Sequence, residues 1–138
     1  MTSNRVLVVD DDPDVTEYFT SFLGDHGYIV ESASNAAQAV LAVDAFRPDV
    51  VMIDVMMPGR SGLDLLVTFR RHPRWSGLPL VMITGDDRVV RDDFRTYLGS
   101  HSDVRGPDGV LPKPIDRKAL LAVLASVCSG RSGPITRA

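Results

Sequence analysis

The sequence contains a single cysteine, Cys128, which excludes an internal disulfide framework and suits a reducing compartment. It has no apolar run approaching the ~18 residues that a membrane span needs. The opening Met1-Thr2-Ser3-Asn4-Arg5 leads into four apolar residues and then three aspartates, which does not read as a secretory signal, so a cytoplasmic location is expected. Positive charge is not in excess. Fifteen lysines and arginines stand against 18 aspartates and glutamates, for a net charge of −3, and bulk charge therefore does not favour a nucleic-acid backbone. Neither G-x-G-x-x-G nor G-x-x-x-x-G-K-[ST] occurs, which removes the usual dinucleotide and P-loop readings. There is no internal repeat and no low-complexity tract. What remains is an ordinary globular composition, 44% hydrophobic and 24% charged, on a 138-residue chain. That length fits one domain and can bury about two thirds of its unfolded surface without a staple.

Five short apolar runs recur: Val6 to Val9, Tyr28 to Val30, Val50 to Ile53, Leu80 to Ile83, and the weaker Gly109 to Leu111. The first, third and fourth are continuous rather than alternating, as in parallel strands buried on both faces. The second is shorter and more mixed, as an edge strand would be. Helical spacing fills the intervals. Val15, Phe19, Phe22 and Leu23 share one face, and Gly24 and Gly27 stop that helix. Ser34 or Asn35 can cap a second helix carrying Ala36, Val40, Val43 and Phe46, with Pro48 beyond its end. A third runs from Leu63 to Arg71 and stops at His72-Pro73, because a residue before proline avoids the helical region. A fourth presents Val90, Phe94, Tyr97 and Leu98. Asp116 can cap a fifth that carries Leu120, Val123, Leu124 and Val127. Strands alternating with helices predict an α/β fold with a parallel sheet covered on both faces. The Ser/Gly-rich end from Ser129 to Ala138 reads as a disordered tail.

The polar residues fall where such a fold would gather them. The first apolar run ends in Asp10-Asp11-Asp12, the third in Asp54, the fourth in Thr84-Gly85 and the fifth near Lys113. In a parallel sheet all carboxyl ends lie on one edge, where ligands bind. Crowded carboxylates repel unless a cation lies between them, and an oxygen-only set suits Mg²⁺. A carboxylate can act as nucleophile to form an aspartyl-phosphate, with a metal and a lysine neutralising the transferring group. The plainer reading of Asp12 and Asp14 is a solvated turn and a helix cap. His26, His72 and His101 show no metal-ligand spacing. Trp75 reads as loop packing, Cys128 as a buried small residue, and Arg60, Arg70, Arg71 and Arg74 as a solvated face.

Four segments together resemble one family, the receiver domain of bacterial two-component response regulators. They are Val6 to Asp14, Asp49 to Gly59, Leu78 to Gly85, and Leu111-Pro112-Lys113-Pro114. The likeness extends from about residue 4 to residue 128, so residues 1–128 are expected to form the domain and 129–138 a tail. The resemblance implies a flavodoxin-like, doubly wound five-stranded parallel sheet in the order 2-1-3-4-5 with five helices. It implies that Asp54 accepts the phosphoryl group. It also implies that Asp10 and Asp11, with Asp54 and the backbone carbonyl of Met56, hold Mg²⁺ or Mn²⁺. Thr84 and Lys113 then correspond to the hydroxyl and ammonium that meet the phosphoryl oxygens, and a cis bond is expected between Lys113 and Pro114. The implied donor is a histidine kinase or a histidine phosphotransfer protein. Output would run through contacts with a downstream protein, without nucleic acid or membrane, from a stand-alone monomer or weak dimer that catalyses only its own phosphorylation and dephosphorylation.

Two departures accompany the likeness. The family usually carries Tyr or Phe three residues before the lysine, and here Val110 stands there. Twenty-eight residues separate Thr84 from Lys113, a longer interval than usual, and the extra material falls in the loop-like stretch 99–108. Val110 motivates one alternative, an interaction module with a weakened switch. An aspartyl-phosphate phosphatase is another, disfavoured because Met56 stands where such enzymes carry a second carboxylate. An FMN carrier lacks support in the aspartate-rich first loop.

Overall fold

A computed structural model describes residues 4–55, 62–85 and 106–132. In chain order these form β1 (Arg5–Val9), α1 (Pro13–Gly24), β2 (Ile29–Ala33), α2 (Ala36–Phe46), β3 (Val50–Asp54), α3 (Gly62–Arg71), β4 (Leu80–Thr84), β5 (Gly109–Pro112) and α4 (Arg117–Ser132). The strands make one parallel sheet in the order β2-β1-β3-β4-β5. This is the expected doubly wound, flavodoxin-like architecture. The fourth predicted helix, Val90 to Leu98, and loop residues 99–105 lie outside the described residues.

Side chains alternate across each strand, so the continuous apolar runs feed two cores. Leu7, Val9, Val51, Ile53, Leu80 and Met82 face one way, against Ala39 and Val43 of α2 and Leu65, Leu66 and Phe69 of α3. Val6, Val8, Val50, Met52, Val81 and Ile83 face the other way, against Phe19 and Leu23 of α1 and Leu120, Leu124 and Cys128 of α4. Every residue of β3 and β4 is buried. Burying one such Val, Leu, Ile or Met side chain contributes about 1.5–3 kcal/mol, so the central strands are the rigid base of the molecule.

Local signals set the helix ends. Asp12 caps α1 by accepting from the Asp14 amide, and Pro13 occupies the first turn, where its missing N–H costs nothing. Gly27, at φ +89°, makes the turn into β2. Asn35 accepts from the Gln38 amide while Gln38 Oε1 accepts from Ser34, a reciprocal cap on α2. Asp116 caps α4 through the Lys118 amide. That helix continues to Ser132, so residues 129–132, assigned to the tail by composition, are helical backbone. A glycine inside a helix costs only about 1 kcal/mol, and no proline intervenes before Pro134.

Arg70 requires a correction. It does not lie on a solvated face: it is 7% exposed and forms an ion pair with Asp108 at 2.9 Å. It sits seven residues after Leu63 and four after Leu66, on the buried stripe of α3. Trp75 stacks on His72 at 4.0 Å and meets Phe69 edge-on at 5.6 Å, as loop packing requires.

Candidate functional site

The carboxyl edge of the sheet collects the polar residues. Val9 pairs with Ile53, so Asp10 and Asp54 come next at the same level of adjacent strands. Asp54 closes β3 and Thr84 closes β4. Thr84 is paired with Pro112 at the end of β5, and the Lys113 amide donates to the Thr84 carbonyl at 2.7 Å. Residues from four strands thereby converge.

One oxygen from each of Asp10, Asp11 and Asp54 can be chosen so that all three lie within 4.8 Å of one another. Asp10 and Asp54 are buried, at 4% and 5% exposure, while Asp11 is exposed. Asp10 Oδ1 accepts from the Asp12 amide at 2.9 Å, which holds its carboxylate in place. Burial pushes the Asp10 carboxyl above its ordinary pKa, and the nearby charges of Asp54 and Asp11 push the same way. The Asp12 amide and Lys113 oppose them. Lys113 Nζ stands 3.6 Å from Asp54 Oδ1, and the bond from Lys113 to Pro114 is cis, as expected. Among the described residues three carboxylates face one ammonium here. An oxygen-only set short of positive charge fits a hard divalent cation, and Asp10, Asp11 and Asp54 are the side chains that could hold it. Met56, whose carbonyl was expected to complete that set, lies outside the described residues.

Thr84 is 2% exposed, and its Oγ1 is buried without a hydrogen-bond partner among the described residues. An orphaned buried hydroxyl costs about 1–3 kcal/mol, which a ligand oxygen accepting from it would recover.

Gly62 was not singled out from the sequence. Its amide donates to the Val55 carbonyl at 3.0 Å. A Cβ added there would lie 2.4 Å from the Asp54 carbonyl oxygen and 2.9 Å from Ile53 Cγ2 and Val55 Cα. The first turn of α3 therefore rests directly on the backbone that carries Asp54.

The family model for the response regulator receiver domain matches residues 6–125. The chain belongs to the response regulator receiver family. It is 37% identical over 118 residues to the DNA-binding response regulator MtrA of Mycolicibacterium smegmatis, covering 86% of this chain and 47% of that protein. Among solved structures it resembles the chemotaxis response regulator CheY4 of Vibrio cholerae, with a TM-score of 0.75, 28% identity, and coverage of 91% of this chain and 99% of that one. It also resembles the signal receiver domain of a histidine kinase from Syntrophus aciditrophicus, with a TM-score of 0.77, 26% identity, and coverage of 92% and 91%. This receiver domain spans about half the length of the curated relatives it matches. Those three relatives place the module in three settings: beside a DNA-binding function, in chemotaxis, and in a kinase. Membership therefore assigns the domain to two-component signal transduction. Among the described residues no helix is long and apolar enough to cross a membrane.

Proposed function

We propose that this receiver domain, in the cytoplasm, takes a phosphoryl group onto the Asp54 carboxylate from the phosphohistidine of a histidine kinase or phosphotransfer protein. The observation that carries the reading is the setting of Asp54. Its carboxylate is nearly buried, with an ammonium 3.6 Å away and two further carboxylates grouped with it. A carboxylate oxygen attacks phosphorus, the bond from phosphorus to the donor imidazole breaks, and its electron pair returns to the imidazole nitrogen, which is protonated from solvent. Asp10, Asp11 and Asp54 would hold a Mg²⁺ ion, or Mn²⁺ with the same preference for oxygen ligands. When bound, that ion supplies charge neutralisation at the transferring group. Lys113 supplies a second positive charge against the phosphoryl oxygens, and Thr84 Oγ1 donates a hydrogen bond to one of them, ending its isolation. The domain signals through protein contacts rather than turnover of an external substrate.

Intact mass after incubation with acetyl phosphate tests this. One added phosphoryl group that requires both Mg²⁺ and Asp54 is expected. An adduct that survives in Asp54→Asn, or forms equally in EDTA, overturns the assignment.

Val110 favours a second reading, an interaction module whose switch is weakened. Its side chain is 47% exposed on β5 and offers no ring to follow Thr84. Amide NMR shifts confined to the pocket on adding a phosphoryl mimic would support it. Shifts that spread along β5 would reject it.

A further inference from the structure

β5 delivers the lysine and, like the other edge strand β2, has little apolar burial to hold it in register. It is four residues long, is bonded to β4 alone among the described residues, and buries only Leu111. In β1, β3 and β4 register is backed by burial along nearly the whole strand, because a slip of one residue would turn every side chain to the other face. One buried leucine discriminates poorly between registers. A slip of one residue moves the chain by about 3.3 Å, close to the 3.6 Å that separates Lys113 Nζ from Asp54 Oδ1.

A polar clip lies at the other end of the strand. Asp108, just before β5, donates its amide to the Leu80 carbonyl at 2.8 Å. Its Oδ2 accepts from the Leu80 amide at 2.9 Å and from Arg70 Nη2 at 2.9 Å. The Arg70 side chain, 2% exposed, also donates from Nη2 to the Gly106 carbonyl at 3.1 Å. Its Nη1 donates to the carbonyls of Leu78 at 2.6 Å and Ser76 at 3.3 Å. One planar guanidinium thus ties the last turn of α3 to the start of β4 and the start of β5. A buried ion pair is weak grounds for stability, since desolvation offsets its attraction, and fixing register is its best-attested use.

We infer that Arg70 and Asp108 are positioning residues for Lys113: the pair sets the register of β5 on β4 and so sets the distance from the Lys113 ammonium to the Asp54 carboxylate. The chemical readout of this inference rests on the proposed role of Asp54, whereas the structural readout does not. Two variants probe it, Arg70→Met, which keeps the aliphatic stem, and Asp108→Asn, which keeps an acceptor for Leu80. Asp10, Asp11 and Asp54 are borne by β1, β3 and their loops, so Mg²⁺ affinity by calorimetry is expected within about twofold of wild type. The rate of phosphorylation by acetyl phosphate at saturating Mg²⁺ is expected to fall about 10–100-fold, the scale of a misplacement near 1 Å. Hydrogen exchange at the Lys113 amide should accelerate, while amides of Val6 to Val9 and Val50 to Ile53 keep their protection. Equal losses of Mg²⁺ affinity and rate, or a folded variant with unchanged Lys113 exchange, would overturn the inference. If wild type itself takes no phosphoryl group, the proposed function fails, and the Lys113 exchange still decides the clip.

Discussion

The acidic half of the pocket hangs from β1 and β3, and the basic half from β4 and β5. The first pair of strands lies at the centre of the sheet, and β3 is buried throughout. Asp10 and Asp54 therefore inherit positions set by many apolar contacts. The basic half is less evenly supported. Thr84 closes a fully buried strand, but Lys113 follows an edge strand with one buried side chain. Its position depends on a hydrogen bond to Thr84 at one end and the Arg70–Asp108 clip at the other. The lesson is that one site can combine a half fixed by hydrophobic burial with a half fixed by a few polar contacts. The second half is the easier one to shift, whether by mutation or by a bound partner.

The sharpest way to separate the halves is to remove the lysine. Lys113→Ala deletes the cation beside Asp54 and leaves the three carboxylates in place. Loss of one preorganised charge at a developing transition state costs about 10²–10³-fold in rate. Acetyl phosphate kinetics should show a loss of that size with Mg²⁺ affinity retained or improved. A variant that lost both equally would show that the halves are not independent.

Gly62→Ala attacks the acidic half through its backbone. The new Cβ would press on the Asp54 carbonyl at 2.4 Å, and the neighbouring atoms on that side belong to the main chain or to a buried isoleucine. Overpacking of this kind costs about 1–3 kcal/mol, which urea denaturation would measure. In contrast to Lys113→Ala, this change should weaken Mg²⁺ binding and phosphorylation together, because it moves the residue both depend on.

Mg²⁺ binding provides a third test. A cation that binds only the folded state at a hundred times its dissociation constant stabilises by about 2.7 kcal/mol. Thermal unfolding should therefore shift upward on adding Mg²⁺, less so in Asp11→Asn, and unchanged in size in Arg70→Met once that variant's own baseline is subtracted.

Much of this arrangement is legible in the amino-acid sequence. Val6 to Val9, Val50 to Ile53 and Leu80 to Ile83 announce buried parallel strands, and parallel strands must bring Asp10, Asp54 and Thr84 to one edge. Arg70 was misread because composition groups it with Arg71 and Arg74, although its spacing from Leu63 and Leu66 puts it on the buried stripe. Its partner Asp108 lies 38 positions away, beyond the reach of any local pattern. Gly62 was missed for a similar reason. Its constraint comes from contact with β3, and nothing in its immediate sequence requires glycine. The end of α4 went four residues past its expected stop because Ser and Gly only weaken a helix, whereas proline breaks one.

The smallest expected effect concerns Asp10, and it tests whether the acidic half is strained without a cation. Burial, followed by the charges of Asp54 and Asp11, raises the folded-state pKa of this carboxyl above the ordinary 3.8, although the Asp12 amide opposes the shift. A carboxyl with a raised folded pKa holds its proton to higher pH in the folded state than in the unfolded one. Its contribution to stability is thus most favourable below pH 3.8. It becomes unfavourable as pH rises through that value toward the raised one, and is constant above it. Asp10→Asn removes the charge and keeps an oxygen for the Asp12 amide. In EDTA at neutral pH the variant should be more stable than wild type, because it removes a charge whose burial is unfavourable. That advantage should shrink as pH falls and vanish near the ordinary carboxyl range. With Mg²⁺ present the order should reverse, because the variant offers one fewer anionic ligand. If Asp10→Asn were less stable than wild type in EDTA at neutral pH, the carboxylate would be held by favourable contacts rather than kept apart for a cation, and the contrast between the two halves would lose its electrostatic basis.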